Sequence, residues 1–146
     1  MSRSSPSVPS WLGKHTPREW IRAALAELRR AEESYARQDD RAGLAGARRA
    51  AGMALNGALL AEPQPTWGRS YVDHLGAIAR DASVPDRVRE AARTLVDTPL
   101  KQPGGLVMLR ASRTDSGAEK ILEAARDVAA HAFAVVLRNE TPEGKA

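Results

Sequence analysis

The stretch DRAGLAGARRAAGMALNGALLA, residues 40–61, decides the fold of this chain. Its apolar residues recur every three or four positions, which is the spacing of one face of a helix. Four glycines lie in the same stretch, and each costs about 1 kcal/mol of helix stability relative to alanine. A helix that retains four glycines usually gains close approach of its neighbours. We therefore predict that this helix is central and packed on more than one side.

A second long helix is predicted before the central one, over residues 17–37. It begins with a capping box, Thr16-Pro17-Arg18-Glu19, in which proline takes the first helical position and its missing N–H has no cost. Apolar residues follow at helical spacing from Trp20 to Tyr35. Gln38-Asp39-Asp40 interrupts the pattern, and either aspartate can cap the central helix.

The remaining helices lie beyond Glu62-Pro63-Gln64-Pro65, which ends the central one because proline cannot continue a helix. Apolar spacing predicts a helix of about three turns from Tyr71 and a further helical segment over 85–97. These two segments form either one bent helix or two short helices. The last helix is predicted over 117–138, after a capping box at Ser116-Gly117-Ala118-Glu119.

No pair of candidate strands remains, so the sequence predicts an all-α fold, an antiparallel bundle of four to five helices. We expect a single domain over residues 16–138, with polar, flexible segments at 1–15 and 139–146. Between the last two helices, the apolar run 106–109 is too short for a helix and should tuck against the bundle. The residues expected inside are Leu28, Leu44, Ala51, Leu55, Ile78, Leu95, Ile121, Val128 and Ala132.

Composition excludes several classes of protein. The 146 residues include no cysteine, which excludes disulfides, thiolate nucleophiles and cysteine-based metal sites. No run of about 18 apolar residues can span a membrane, and the N-terminus lacks the apolar segment of a secretory signal. We therefore expect a cytoplasmic protein with no membrane association. The net charge of +4 comes almost wholly from arginine. It fits either the Ala/Arg bias of a GC-rich genome or attraction to phosphate.

Three stretches carry a resemblance to a known family. They are WIRAALAEL at 20–28, ARRAAGMALNGALL at 47–60 and SYVDHL at 70–75. Their order and spacing are similar to the helical domains of the HEPN superfamily, named for higher eukaryotes, prokaryotes and nucleotide binding. The resemblance covers roughly residues 17–138 and implies a HEPN-like helical bundle. Asn56 and Gly57 stand where that family often has lysine and alanine.

The last helix carries the sharpest local motif, Arg126-Asp127-Val128-Ala129-Ala130-His131. It resembles the Arg-x4-His motif of ribonuclease HEPN domains, in which two protomers bring their motifs together. Cleaving RNA without a metal needs an acid or base that works near neutral pH and a cation for the phosphate. The resemblance implies that His131 is the acid–base group, that Arg126 holds the phosphate and that Asp127 orients one of them.

A second interpretation of this motif stays open, because arginine followed five residues later by histidine also arises by chance in an arginine-rich chain. On a helix the two positions are about 140° apart, so they flank opposite edges of the apolar stripe. Glu123, Asp127 and Arg138 would then share a solvated face with His131.

Other candidate sites are weaker. His74 lies beside Tyr71 and Ile78, which favours a partly buried structural histidine, and His15 is expected to be exposed. The three histidines lack metal-ligand spacing, so no metal is predicted. No phosphate-binding glycine-rich loop is present, so no cofactor is predicted either.

Three functions follow from these observations. The first is a metal-independent endoribonuclease of toxin or defence type, active as a homodimer on RNA. The second is a non-catalytic HEPN-like binding module that pairs with a partner protein such as an antitoxin or a nucleotidyltransferase. The third is a plain helical interaction protein.

Overall fold

The computed structural model describes residues 10–64, 66–99 and 114–140. Every regular element in these ranges is a helix, which confirms the all-α bundle. None of these helices is long and apolar enough to cross a membrane. The apolar run predicted to tuck against the bundle, 106–109, lies outside the described residues. The helices are α1 (Ser10–Gly13), α2 (Pro17–Ala36), α3 (Asp40–Ala61), α4 (Tyr71–Arg80), α5 (Asp86–Asp97) and α6 (Thr114–Glu140).

The central position predicted for α3 is confirmed, since it packs against α2, α4, α5 and α6. Its glycines lie at close approaches. A Cβ atom placed on Gly57 would lie 2.8 Å from the carbonyl oxygen of Pro17, and one on Gly46 would lie 3.1 Å from the Cβ of Ala31. All nine residues expected in the interior are buried.

The helix boundaries follow from capping chemistry. The capping box at Thr16 is present, with Glu19 N–H donating to the Thr16 hydroxyl and Thr16 N–H donating to the Glu19 carboxylate. The box predicted at Ser116 is wrong, because α6 already begins at Thr114. A capping box that the sequence analysis did not name, Ser70 with Asp73, starts α4. The helices α4 and α5 are separate, not one bent helix.

The residues just before α2 fold onto the bundle. Leu12 in α1 is buried, and the indole Nε1–H of Trp20 donates a 2.8 Å hydrogen bond to the Leu12 carbonyl oxygen. His15 is partly buried, with its ring edge-on to Trp20 at 4.7 Å between centroids. Leu12 and His15 thus pack against Trp20, and the flexibility predicted for residues 1–15 stays a prediction. The domain limits at 16 and 138 stay a prediction, and α6 continues to Glu140.

Arg48 of α3 links the central helix to the end of α5 by hydrogen bonds. Its guanidinium donates hydrogen bonds of 2.7 Å to the carbonyl oxygen of Leu95 and 2.5 Å to that of Thr98. These carbonyls lie at the C-terminal end of α5, where helix carbonyls lack partners within the helix and a cation is favourable. Arg48 therefore stabilises the packing of α5 on α3.

Two glycine substitutions should change stability in opposite directions. Gly57→Ala places a methyl group against the Pro17 backbone, and we expect it to lower the free energy of unfolding by about 1–3 kcal/mol. The matched control is Gly117→Ala, because Gly117 is helical and a Cβ there meets nothing within 4 Å. That control should raise the free energy by about 0.5–1 kcal/mol. Urea unfolding followed by circular dichroism measures both, and equal effects would show that α3 does not need its glycine.

Candidate functional site

The helix α6 directs the three predicted site residues to three different surroundings. The Arg126 guanidinium donates a 2.8 Å hydrogen bond to Glu32 of α2. The Asp127 carboxylate accepts a 3.2 Å hydrogen bond from Arg87 of α5. His131 contacts neither partner and lines a cleft on another side of α6. Within one chain, the predicted motif is therefore not assembled into a single site.

The cleft that contains His131 is a candidate site. It has a volume of about 310 Å³ and lies between the end of α3, the α4–α5 connection and α6. Apolar side chains form its floor, and polar groups stand around them. The polar lining is Glu62, Gln64, Asp81, Ser83, His131 and Arg138.

The two carboxylates of the cleft are held by neighbours. Arg138 forms two hydrogen bonds with Glu62, of 2.7 and 2.8 Å, and Asn139 donates a third of 2.7 Å. These bonds lower the pKa of Glu62 to about 2. Asp81 accepts hydrogen bonds from the backbone N–H and the hydroxyl of Ser83, which lower its pKa as well. Both groups are therefore ionised near neutral pH.

His131 is the titratable group of the cleft best suited to proton transfer. Burial lowers the pKa of its imidazole, and the nearby Arg138 cation lowers it further, while Asp81 and Glu62 oppose both effects. A histidine with a lowered pKa is neutral near pH 7 and can accept a proton. The cleft carries two carboxylates and one guanidinium, a formal charge of −1, so it does not by itself attract a phosphate.

His74, by contrast, has a structural position. It is fully buried, its Nε2–H donates to the Gly68 carbonyl oxygen at 3.1 Å, and its ring lies between those of Trp11 and Trp67. The centroid distances to these indoles are 6.3 and 5.7 Å. The sequence analysis predicted a structural histidine here, and its burial is complete. Among the described residues, no three metal-ligating side chains cluster as a metal site.

Most of the cleft leaves no signal in the sequence. Arg138 follows His131 by seven residues, two helical turns, and this spacing already placed it on the same face of the last helix. Glu62 and Asp81 gave no such signal, because they end two other helices and reach His131 only through the packing of α3 and α4. No protein family, curated protein or solved structure matched this chain. The resemblance to HEPN domains thus stays a prediction from residue pattern.

The pKa of His131 should change when Arg138 is replaced and should not change when Arg126 is replaced. Arg138→Gln removes a cation and frees the Glu62 carboxylate, and both changes raise the pKa of His131. Arg126→Gln, the matched control, should leave it unchanged because Arg126 pairs with α2. Proton NMR of the imidazole Cε1–H over a pH series measures both variants. A comparable shift in the Arg126 variant would place Arg126 and His131 in one site.

His74 should make the fold sensitive to mild acid. Burial lowers its pKa below the unfolded value of about 6.5, so the stability from its neutral form is complete above that pH and is lost as the pH falls below it. The loss approaches about 1.4 kcal/mol per pH unit until the folded pKa is reached. His74→Gln should flatten this dependence between about pH 7.5 and 5.5. Urea unfolding of the wild type and the variant at about pH 7.5 and 5.5 tests this expectation. His131→Gln is the control, because His131 is the other histidine whose pKa is lowered.

Proposed function

We propose that this chain is a HEPN-like binding module, a helical bundle that docks a partner protein and does not itself cleave RNA. The single observation that carries the proposal is the divergence of the motif on α6. Arg126 pairs with Glu32, Asp127 pairs with Arg87, and His131 lines a separate cleft. A cation and an acid–base group must converge on the same phosphate to cleave RNA without a metal.

The charge of the cleft supports the same proposal. A phosphodiester that entered it would meet Glu62 and Asp81 as well as Arg138. The Arg138 guanidinium already makes two hydrogen bonds with Glu62, so binding a phosphate there would require breaking both. A partner protein such as an antitoxin or a nucleotidyltransferase fits the bundle without that requirement, because the contact would lie on its outer helix faces.

A metal-independent endoribonuclease is the second candidate, and the observation that favours it is His131. Its lowered pKa and its position in a cleft suit a general base. In this alternative, a second copy of the chain completes the site and its Arg126 holds the phosphate. The Arg126–Glu32 pair is exposed, and exposed ion pairs contribute little, so Arg126 could exchange Glu32 for phosphate.

Incubation with RNA separates the two candidates. The binding module should leave a mixed-sequence RNA intact after prolonged incubation with purified protein, with and without chelator. A ribonuclease should cut it in the presence of chelator, and His131→Ala should then lower the rate by about 10²–10⁴. His15→Ala is the matched control, since His15 lies outside the cleft. Cleavage that depends on both His131 and Arg126, with folding preserved, would refute the binding-module proposal.

A further inference from the structure

The helices α2 and α6 carry the same pattern on the faces along which they meet. Each has an arginine, an apolar residue seven positions later and a glutamate seven positions after that. Seven residues are nearly two turns, so the three positions of each set share one face. The sets are Arg18, Leu25 and Glu32 in α2, and Arg126, Phe133 and Glu140 in α6.

Two ion pairs join these sets head to tail. The Arg18 guanidinium donates hydrogen bonds of 2.8 and 3.1 Å to Glu140, and that of Arg126 donates one of 2.8 Å to Glu32. The helices are therefore antiparallel here, with Leu25 and Phe133 each midway along its helix between the two pairs. The Arg18 guanidinium also lies over the Phe133 ring, 5.7 Å from its centroid. The result is a surface with approximate two-fold symmetry, which we call the α2–α6 seam. Its centre is apolar and its two ends are ion pairs.

The centre of the seam exposes apolar side chains. Leu25 is 46% exposed and Leu137, one turn beyond Phe133, is 40% exposed. They are two of the three large apolar side chains that are exposed among the described residues. Phe133 is partly buried against the core, so that only part of its ring is accessible, and Ala130 is exposed on the same face of α6. Adjacent exposed apolar side chains of this kind mark an interaction site more often than scattered ones do.

The charges beside this apolar centre indicate the chemistry of a partner. Arg22 and Arg29 lie three residues before and four residues after Leu25, so they flank it on the same face of α2. Both are exposed and form no salt bridge within the described part of the chain, although Arg22 helps to lower the pKa of the Glu19 carboxyl one turn before it. The acidic residues of the seam, Glu32 and Glu140, are already paired with arginines. The cations left available therefore favour carboxylates on the partner.

We infer that the α2–α6 seam docks an amphipathic helix of a partner protein, with its apolar stripe on Leu25 and Phe133 and its carboxylates on Arg22 and Arg29. This inference rests on the proposed binding function and names the chemistry of the partner. A second copy of the chain fits the seam less well. In a second copy, the seam glutamates Glu32 and Glu140 are already paired with arginines, so it offers Arg22 and Arg29 no unpaired carboxylate within the seam.

The test uses two synthetic helical peptides, each about four turns long to match the seam. Both carry leucines at helical spacing, one with glutamates beside them and the other with lysines at the same positions. We expect the acidic peptide to bind the full chain in fluorescence anisotropy and the basic one not to bind. Arg22→Glu with Arg29→Glu, and separately Leu25→Asp, should each weaken binding by about tenfold or more.

The matched control is Arg41→Glu with Arg69→Glu, which makes the same change of charge at exposed sites outside the seam and should leave binding unchanged. Circular dichroism checks that every variant is folded. Equal binding of both peptides, binding of neither, or equal weakening by the control would overturn the inference. So would a wild-type dimer that Leu25→Asp dissociates in sedimentation, or RNA that binds through Arg22 and Arg29. Failure here leaves the RNA incubation as an independent test of the binding-module proposal.

Discussion

The close approach of other helices to α3 is the constraint on which the rest of the bundle depends. Alanines and glycines cover most of this helix, and thirteen of its residues are buried. At Gly57 the backbone of Pro17 comes so near that a methyl group would collide with it. A helix with larger side chains would hold its neighbours farther apart. The short distances bring α2 and α6 against the same central helix, and therefore against each other.

That arrangement explains why three polar residues of α6 have different surroundings. One edge of the helix meets α2 and carries Arg126, another meets α5 and carries Asp127, and a third faces the cleft and carries His131. Because α6 is surrounded on these sides, polar residues five positions apart in sequence acquire unrelated partners. Two residues of a helical motif therefore indicate a shared site only when their spacing places them on the same face of the helix. The pair His131 and Arg138 has such a spacing and lies in one cleft.

The sequence predicted the elements well because their signals are local. The bounds of α3 and the capping box at Thr16 depend on residues adjacent in the chain, and both are confirmed. The start of α6 was wrong because the Ser116 box looked like an N-cap while the helix extends beyond it. The cleft could not be predicted, since Glu62 and Asp81 meet His131 only after three helices have packed. The α2–α6 seam could be predicted in part. The seven-residue spacing in each helix is visible in the sequence, but the alignment of one helix with the other is known only from the two ion pairs in the structure.

The distribution of arginine changes how the basic character of the chain should be understood. Eight arginines make salt bridges within the described residues, and Arg48 is engaged by carbonyl oxygens of α5 and the residue after it. Cations engaged in this way displace few ions from a polyanion, so they add little to the steep salt dependence typical of nucleic-acid binding. Each such pair also cancels one positive and one negative charge, so these arginines do not account for the net charge of +4. Dissolved salt screens such exposed pairs, and since each contributes little to the free energy of unfolding, it should change the stability of the bundle only slightly through them.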